Sequence, residues 1–273
     1  MKKEETYMRR SGLFWGAALI LIGTLLLLNT LGILKVNVWG LIWPSILILL
    51  GLSALWGAFA GPRQAEVQQA VIPLEGASRA KVRVSFGAGR LAIRSHSSPS
   101  ELVNGSFEGG LDFKTDRDGD TLKVKMRVPY EDMWAFPWMW WGGRRFEWSV
   151  GLSNQIPLDL RVEAGASQSQ LDLTDLRVTD LKLEIGASNT EVTMPAGAGN
   201  TKVDIEAGAA TVKIRIPSGV AARIRFSGGA ATFTADSSRF PRMGDYYQSP
   251  DYEGAPNKIE MRIDAGAGTV DVR

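Results

Sequence analysis

Six stretches of the chain follow one plan. VSFGAGRLAI, VEAGASQSQLDL, LEIGASNTEVTM, IEAGAATVKIRI, FSGGAATFTA and IDAGAGTVDV each read as an alternating strand, a Gly-Ala step and a second alternating strand. Their corner glycines are Gly87, Gly165, Gly186, Gly208, Gly229 and Gly266, and from Gly165 to Gly229 they stand 21, 22 and 21 residues apart. A fixed period near twenty marks a stacked array, in which each unit buries its apolar face only against the next. Within a unit the side chains alternate: Leu181, Leu183 and Ile185 are interleaved with Lys182 and Glu184, so one strand face is buried and the other is wet. The pattern predicts an all-β domain, a repetitive β-solenoid-like rack of short strands; an antiparallel β-sandwich of hairpins is the alternative. Glycine is expected at each corner for its freedom to adopt positive φ, and the neighbouring alanine is small enough to stack coil on coil. Pro73, Pro157, Pro195 and Pro217 recur at expected strand ends, where a missing N–H cannot continue a ladder.

Two insertions interrupt the period. One, between Gly229 and Gly266, holds RFPRMGDYYQSPDYEGAPN. The other, between Gly87 and Gly165, holds MWAFPWMWWGGRRFEW at 133–148, with five of the nine tryptophans of the chain. Three readings of this stretch stay open: an insert packed on the core of its own domain, a membrane-surface dock, or an anchor filling a pocket of a protein partner. Tryptophan suits a bilayer interface because its ring is apolar and its N–H wants a wet partner. Arg144 and Arg145 are placed to meet anionic headgroups, at roughly 1 kcal/mol each near such a surface. The contact residues expected are Trp134, Trp138, Trp140, Trp141, Arg144, Arg145 and Trp148, on a hairpin tip between LKVKMRVPY and FEWSVGL.

The first sixty-one residues differ in kind. No charge interrupts residues 11–34 or residues 36–62, and ~20 apolar residues suffice to cross a ~30 Å hydrocarbon layer. The expectation is a transmembrane hairpin over 1–61, with helices at about 12–33 and 38–60, a linker at 62–71, and a β domain at 72–273 carrying the Trp-rich insertion at about 130–148. A cleaved signal peptide fits poorly, because the first apolar run is too long and a second follows at once. Lys2, Lys3, Arg9 and Arg10 precede the first span, Arg63 follows the second, and only Lys35 lies between. By the positive-inside rule both termini and the β domain face the cytoplasm.

Chemistry is sparse. The chain has no cysteine and a single histidine, His96, which leaves no thiolate nucleophile and no Cys- or His-based metal cluster. DRDGD at 116–120 lacks the spacing and the bidentate Glu of a calcium loop and reads as a hairpin turn at Asp118-Gly119. Beyond residue 61, 26 basic side chains face 27 acidic ones, which offers no basic surface for nucleic acid. No catalytic residue, cofactor or metal is expected, and the chain reads as a non-catalytic interaction protein.

Two parts of the sequence carry a family likeness. GLFWGAALILIGTLLLLNTLGI followed by WPSILILLG resembles the two-helix membrane region of LiaI and LiaF type bacterial proteins, and IPLDLRVEAGASQSQLDLTDLRVTDLKLEIGASNTEVTMP resembles the repetitive toast-rack β region behind it. The resemblance implies a multi-pass plasma-membrane protein that modulates cell-envelope stress signalling. Its implied partners are the lipid bilayer and a membrane sensor kinase or another envelope-stress protein. A membrane-attached scaffold that forms homo-oligomers is the alternative.

Overall fold

The computed structural model describes residues 67–129 and 146–273, which belong to one compact unit. The expected transmembrane hairpin, most of the linker, and Trp134, Trp138, Trp140, Trp141, Arg144 and Arg145 lie outside the described residues. Among the described residues no helix is long and apolar enough to cross a membrane.

The described chain is all β. In order, the strands are β1 (Val67–Pro73), β2 (Arg79–His96), β3 (Glu101–Glu108), β4 (Asp112–Asp118), β5 (Thr121–Arg127), β6 (Glu147–Ser153), β7 (Leu158–Asp172), β8 (Val178–Ile185), β9 (Asn189–Thr193), β10 (Asn200–Arg215), β11 (Ala221–Ala235), β12 (Arg242–Met243), β13 (Tyr246–Gln248) and β14 (Lys258–Val272). β1 begins at Val67, inside the stretch read as linker.

Parallel pairing dominates, as a solenoid requires and a hairpin sandwich does not. β2 pairs with β7, β7 with β8 and β9, β8 and β9 with β10, β10 with β14, and β14 with β11, all parallel. Each rung has two legs joined at a Gly-Ala corner. β2, β7, β10, β14 and β11 span both legs, whereas β8 and β9 share one rung.

Spatial order departs from chain order at both ends of the stack. β5 and β6 together form the rung outside β2, although β7 follows them in sequence and returns to the other side of β2. At the opposite end β14 is inserted between β10 and β11. Antiparallel strands finish the sheet: β4 on β5, β3 on β6, β1 on β3, and β13 on β11.

The core is built from aligned inward columns. Val82, Val124, Leu160, Leu181, Val203, Met261 and Ile224 share one level of the first leg, and all are buried. Between one coil and the next, Leu173, Met194 and Ile216 turn inward, and each donates its N–H to the coil alongside: to Thr193 at 3.0 Å, Arg215 at 2.9 Å and Arg273 at 2.7 Å.

The corner glycines stack in one column, in the order Gly87, Gly165, Gly186, Gly208, Gly266, Gly229. None of them has positive φ, which corrects the reason expected for glycine there. At three of them close approach requires glycine instead. A Cβ on Gly165 would stand 2.4 Å from the Gly87 carbonyl oxygen, one on Gly186 2.9 Å from that of Gly165, and one on Gly266 2.9 Å from that of Gly208.

Outside, the wet face of the first leg carries an ion-pair ladder. Glu163 accepts from Ser85 at 2.8 Å and pairs with Arg83 at 3.2 Å and Arg161 at 3.1 Å; Arg161 reaches on to Glu184. Lys182 then joins Glu184 at 3.3 Å to Glu206 at 2.8 Å. Four rungs are laced together by side chains that each stay partly exposed, so every link contributes at most about 1 kcal/mol.

Candidate interaction site

The Trp-rich insertion takes the place of one corner. β5 pairs with Arg79–Ser85 of β2 and β6 with Arg90–His96 of the same strand, so the two form the first and second legs of a single rung. They do not pair with each other, and the expected hairpin between them is corrected: where other rungs carry three Gly-Ala residues, this one carries 128–146.

Its two ends are held by backbone geometry. The Phe146 carbonyl accepts from the Arg90 N–H at 2.7 Å, and a Cβ on Gly89 would stand 2.2 Å from that carbonyl oxygen. Gly89 also has φ of 122°, a conformation open to glycine alone. The Phe146 ring covers Gly109, where a Cβ would meet it at 2.2 Å, and the ring of Pro129 stands against Gly110. Beside them runs the start of β1, where the side-chain Oε1 of Gln68 accepts from the Leu111 N–H at 2.9 Å. Gly109, Gly110 and Leu111 therefore join three strands of chain: the segment arriving from residue 66, the chain entering the insertion, and the chain leaving it.

Trp148 has a different fate from the contact role expected of it. It is fully buried, with its ring 5.4 Å from that of Phe86 and edge-on to Phe107 at 5.1 Å. Among the described residues its Nε1–H has no hydrogen-bond partner. Period two explains the burial, because Trp148, Val150 and Leu152 share the inward face of β6. Trp148 fixes the end of the insertion to the core and has no surface to offer a ligand.

Elsewhere the described surface offers little chemistry. A shallow trough of about 550 Å³ runs along the corners over Ala166, Ser167, Ala187, Ser188, Ala209 and Ala210, with no ionisable side chain in its lining. Among the described residues no group of His, Asp or Glu is arranged to hold a metal ion. The DRDGD stretch is a β4–β5 hairpin whose two-residue turn is Gly119-Asp120, with Gly119 at φ 56°. The Asp118 carboxylate is held below its ordinary pKa by the hydrogen bond from Lys123, at 2.8 Å. His96 closes β2, half-buried, and its Nδ1 accepts from the Ser98 N–H at 3.2 Å.

The second insertion, 236–257, folds back on β11. Arg223 anchors it, stacking on Tyr252 at 4.3 Å while bonding Gln248 and Glu253 at 2.5 Å each. Burial raises the Tyr252 hydroxyl above its ordinary pKa.

Comparison with known families decides the identity of this architecture. Residues 60–215 match the family described as the N-terminal domain of toast_rack, DUF2154. The chain belongs to the toast-rack family. Residues 13–55 match the LiaI-LiaF-like transmembrane region, so the chain is a LiaF-like, membrane-associated protein with a toast-rack domain. The toast-rack match covers both the Trp-rich insertion and the corner it replaces, and it ends with β10.

Comparison with curated proteins gives no significant match. Among solved structures, a candidate cell adhesion protein from Clostridium sporogenes is similar at TM-score 0.68 and 20% identity, over 76% of this chain and 98% of that one. At that identity the likeness concerns the fold, and it supports the all-β toast-rack architecture. A candidate adhesin from Bacteroides fragilis aligns at TM-score 0.19 and 7% identity, over 78% of this chain and 99% of that one.

Proposed function

We propose that this toast-rack protein is a membrane-anchored, non-catalytic modulator of cell-envelope stress signalling, acting through contacts with a sensor kinase. A two-helix hairpin anchors it with the β domain on the cytoplasmic side, and the Trp-rich insertion docks on the bilayer surface beside the anchor.

One observation carries the docking part: the first residues of β1 and both ends of the insertion meet at Gly109–Leu111. Eleven residues separate the matched transmembrane region, ending at 55, from Val67, and that length spans at most about 40 Å. That both described ends of the insertion stand beside the start of β1 supports docking of the insertion near the anchor. Proximity of the anchor raises its effective concentration at the headgroups, so weak contacts by Trp134, Trp138, Trp140, Trp141, Arg144 and Arg145 suffice.

The test uses the absence of native cysteine. A polarity-sensitive dye on Trp140→Cys, in the full chain reconstituted into anionic vesicles, is expected to shift to the blue relative to the same dye on Ser237→Cys. Equal, water-like emission from both positions defeats the lipid dock. For the signalling part, deleting the protein is expected to change the output of an envelope-stress reporter, and restoring it reverses the change. An unaltered reporter together with no crosslink to a sensor kinase sinks that role.

A further inference from the structure

We infer that the rack ends in a self-pairing edge, the strand β11, through which two copies of this chain join antiparallel into a closed dimer. β11 pairs with β14 along its whole length on one side. On the other side β13 covers only Arg223 and Ile224, so among the described residues no strand meets residues 225–235 there.

Proteins normally blunt such an edge with charge, proline or a bulge. This chain does so at the opposite end. There β4 presents Asp112, Lys114, Asp116, Arg117 and Asp118, and β1 closes on a bulge at Ile72 and on Pro73. Beyond Arg225 the β11 edge has none of these. From Phe226 to Ala235 the sequence FSGGAATFTA holds no charge and no proline.

What fits the edge is legible from its neighbours. Thr211, Thr269 and Thr232 form one row across β10, β14 and β11, and Ala209, Ala267 and Ala230 another. The edge thus carries the same rows of small and threonine side chains that the rungs align in parallel, and a two-fold copy of β11 presents those rows antiparallel. Lacking charge, the edge selects neither an acidic nor a basic peptide. A second β11 supplies the same small and threonine side chains, and pairing like with like about a two-fold axis satisfies both edges at once. Pairing β11 with β1 of the next copy would instead leave free edges and grow open chains.

The experiment is disulfide trapping of the full-length protein in native membranes, where the chain has no cysteine of its own. Thr232, exposed on the edge strand, becomes Thr232→Cys; Thr115→Cys on the exposed face of β4 is the comparison. Oxidation is expected to give covalent dimers from the first variant and monomers from the second. Adding Ala230→Lys and Thr234→Lys to Thr232→Cys places like charges directly opposite each other, because residue 234 of one copy faces residue 230 of the other when the two Thr232 positions meet, and is expected to cut trapping about tenfold. An unchanged β-sheet circular dichroism signal shows that this variant is folded. Absence of dimer at Thr232→Cys, equal dimer at Thr115→Cys, trapping indifferent to the two lysines, or crosslinked ladders from Thr232→Cys combined with Gln69→Cys each overturn the proposal.

Discussion

The carbonyl oxygen of Gly87 lies 2.4 Å from the point where a Cβ on Gly165 would stand. Successive coils touch there backbone to backbone, and no side chain fits between them.

Gly165→Ala must push two rungs apart. The expected loss is about 2 kcal/mol, in the range of overpacked sites, read as a melting temperature lower by several degrees in the detergent-solubilised chain. Gly197, with no neighbour within 4 Å of a built Cβ and no positive φ, is the contrast. Gly197→Ala should be neutral, or stabilising by about 0.5 kcal/mol through a less flexible unfolded chain. Equal losses at the two sites count against the stacked column.

Trp148 and the other tryptophans of the insertion should separate cleanly. Trp148→Ala empties the space between Phe86 and Phe107 and is expected to cost about 3–5 kcal/mol in denaturant unfolding. Trp148→Phe should cost less than half of that, since it also removes a buried N–H without a partner. Trp140→Ala should leave unfolding unchanged and weaken lipid docking. A Trp148→Ala protein of full stability contradicts the burial.

Stability against pH should be flat through the neutral range and fall at both ends. Hydrogen bonds from Lys123 and Ser238 hold Asp118 and Asp236 below 3.8. Their folded-state values lie below the unfolded ones, so their contribution is present above 3.8 and lost as pH falls through the lowered values. Bonds to Glu206 and Glu184 raise Lys182 above 10.5, and burial raises Tyr252 above 10.0. Those contributions are present below the unfolded values and disappear as pH climbs through the raised ones. Lys182→Met should flatten the alkaline arm in a series of melting curves; an unaltered arm removes Lys182 from the account.

Sidedness is checked with one thiol. Ser237 is exposed, in the turn after β11, and Ser237→Cys should react with a membrane-impermeant maleimide only after cells are permeabilised. Labelling of intact cells would reverse the orientation and make the rack an external sensor.

Much of the rack is legible in the sequence because its contacts are periodic. Corner glycines at 21 and 22 residues, and alternation within each unit, point to the same stack that the pairing registers display. Two aspects resist the same reading. The place of β14 between β10 and β11 is hidden because the Gly-Ala units resemble one another so closely that each accepts several neighbours. The role of glycine at the corners is hidden because close approach and positive φ select the same residue; only Gly89 and Gly268, two positions further on in their rungs, combine positive φ with a backbone neighbour. Trp148 is distinguishable in principle. Its alternation with Glu147 and Ser149 belongs to a strand, whereas the tryptophans before Gly142 sit in an unbroken apolar run at 133–141 that alternates with no polar residue.

The interleaving of β14 also governs how the protein is born. β11 leaves the ribosome first, yet among the described residues its only long partner is a strand made more than twenty residues later, after the whole 236–257 excursion. Until then β10 and β11 wait as two open templates with a gap one strand wide. Synthesis cannot finish this end of the rack in order, and the newborn chain holds a pairing-ready strand, uncharged from Phe226 to Ala235, exposed to every neighbour on the polysome.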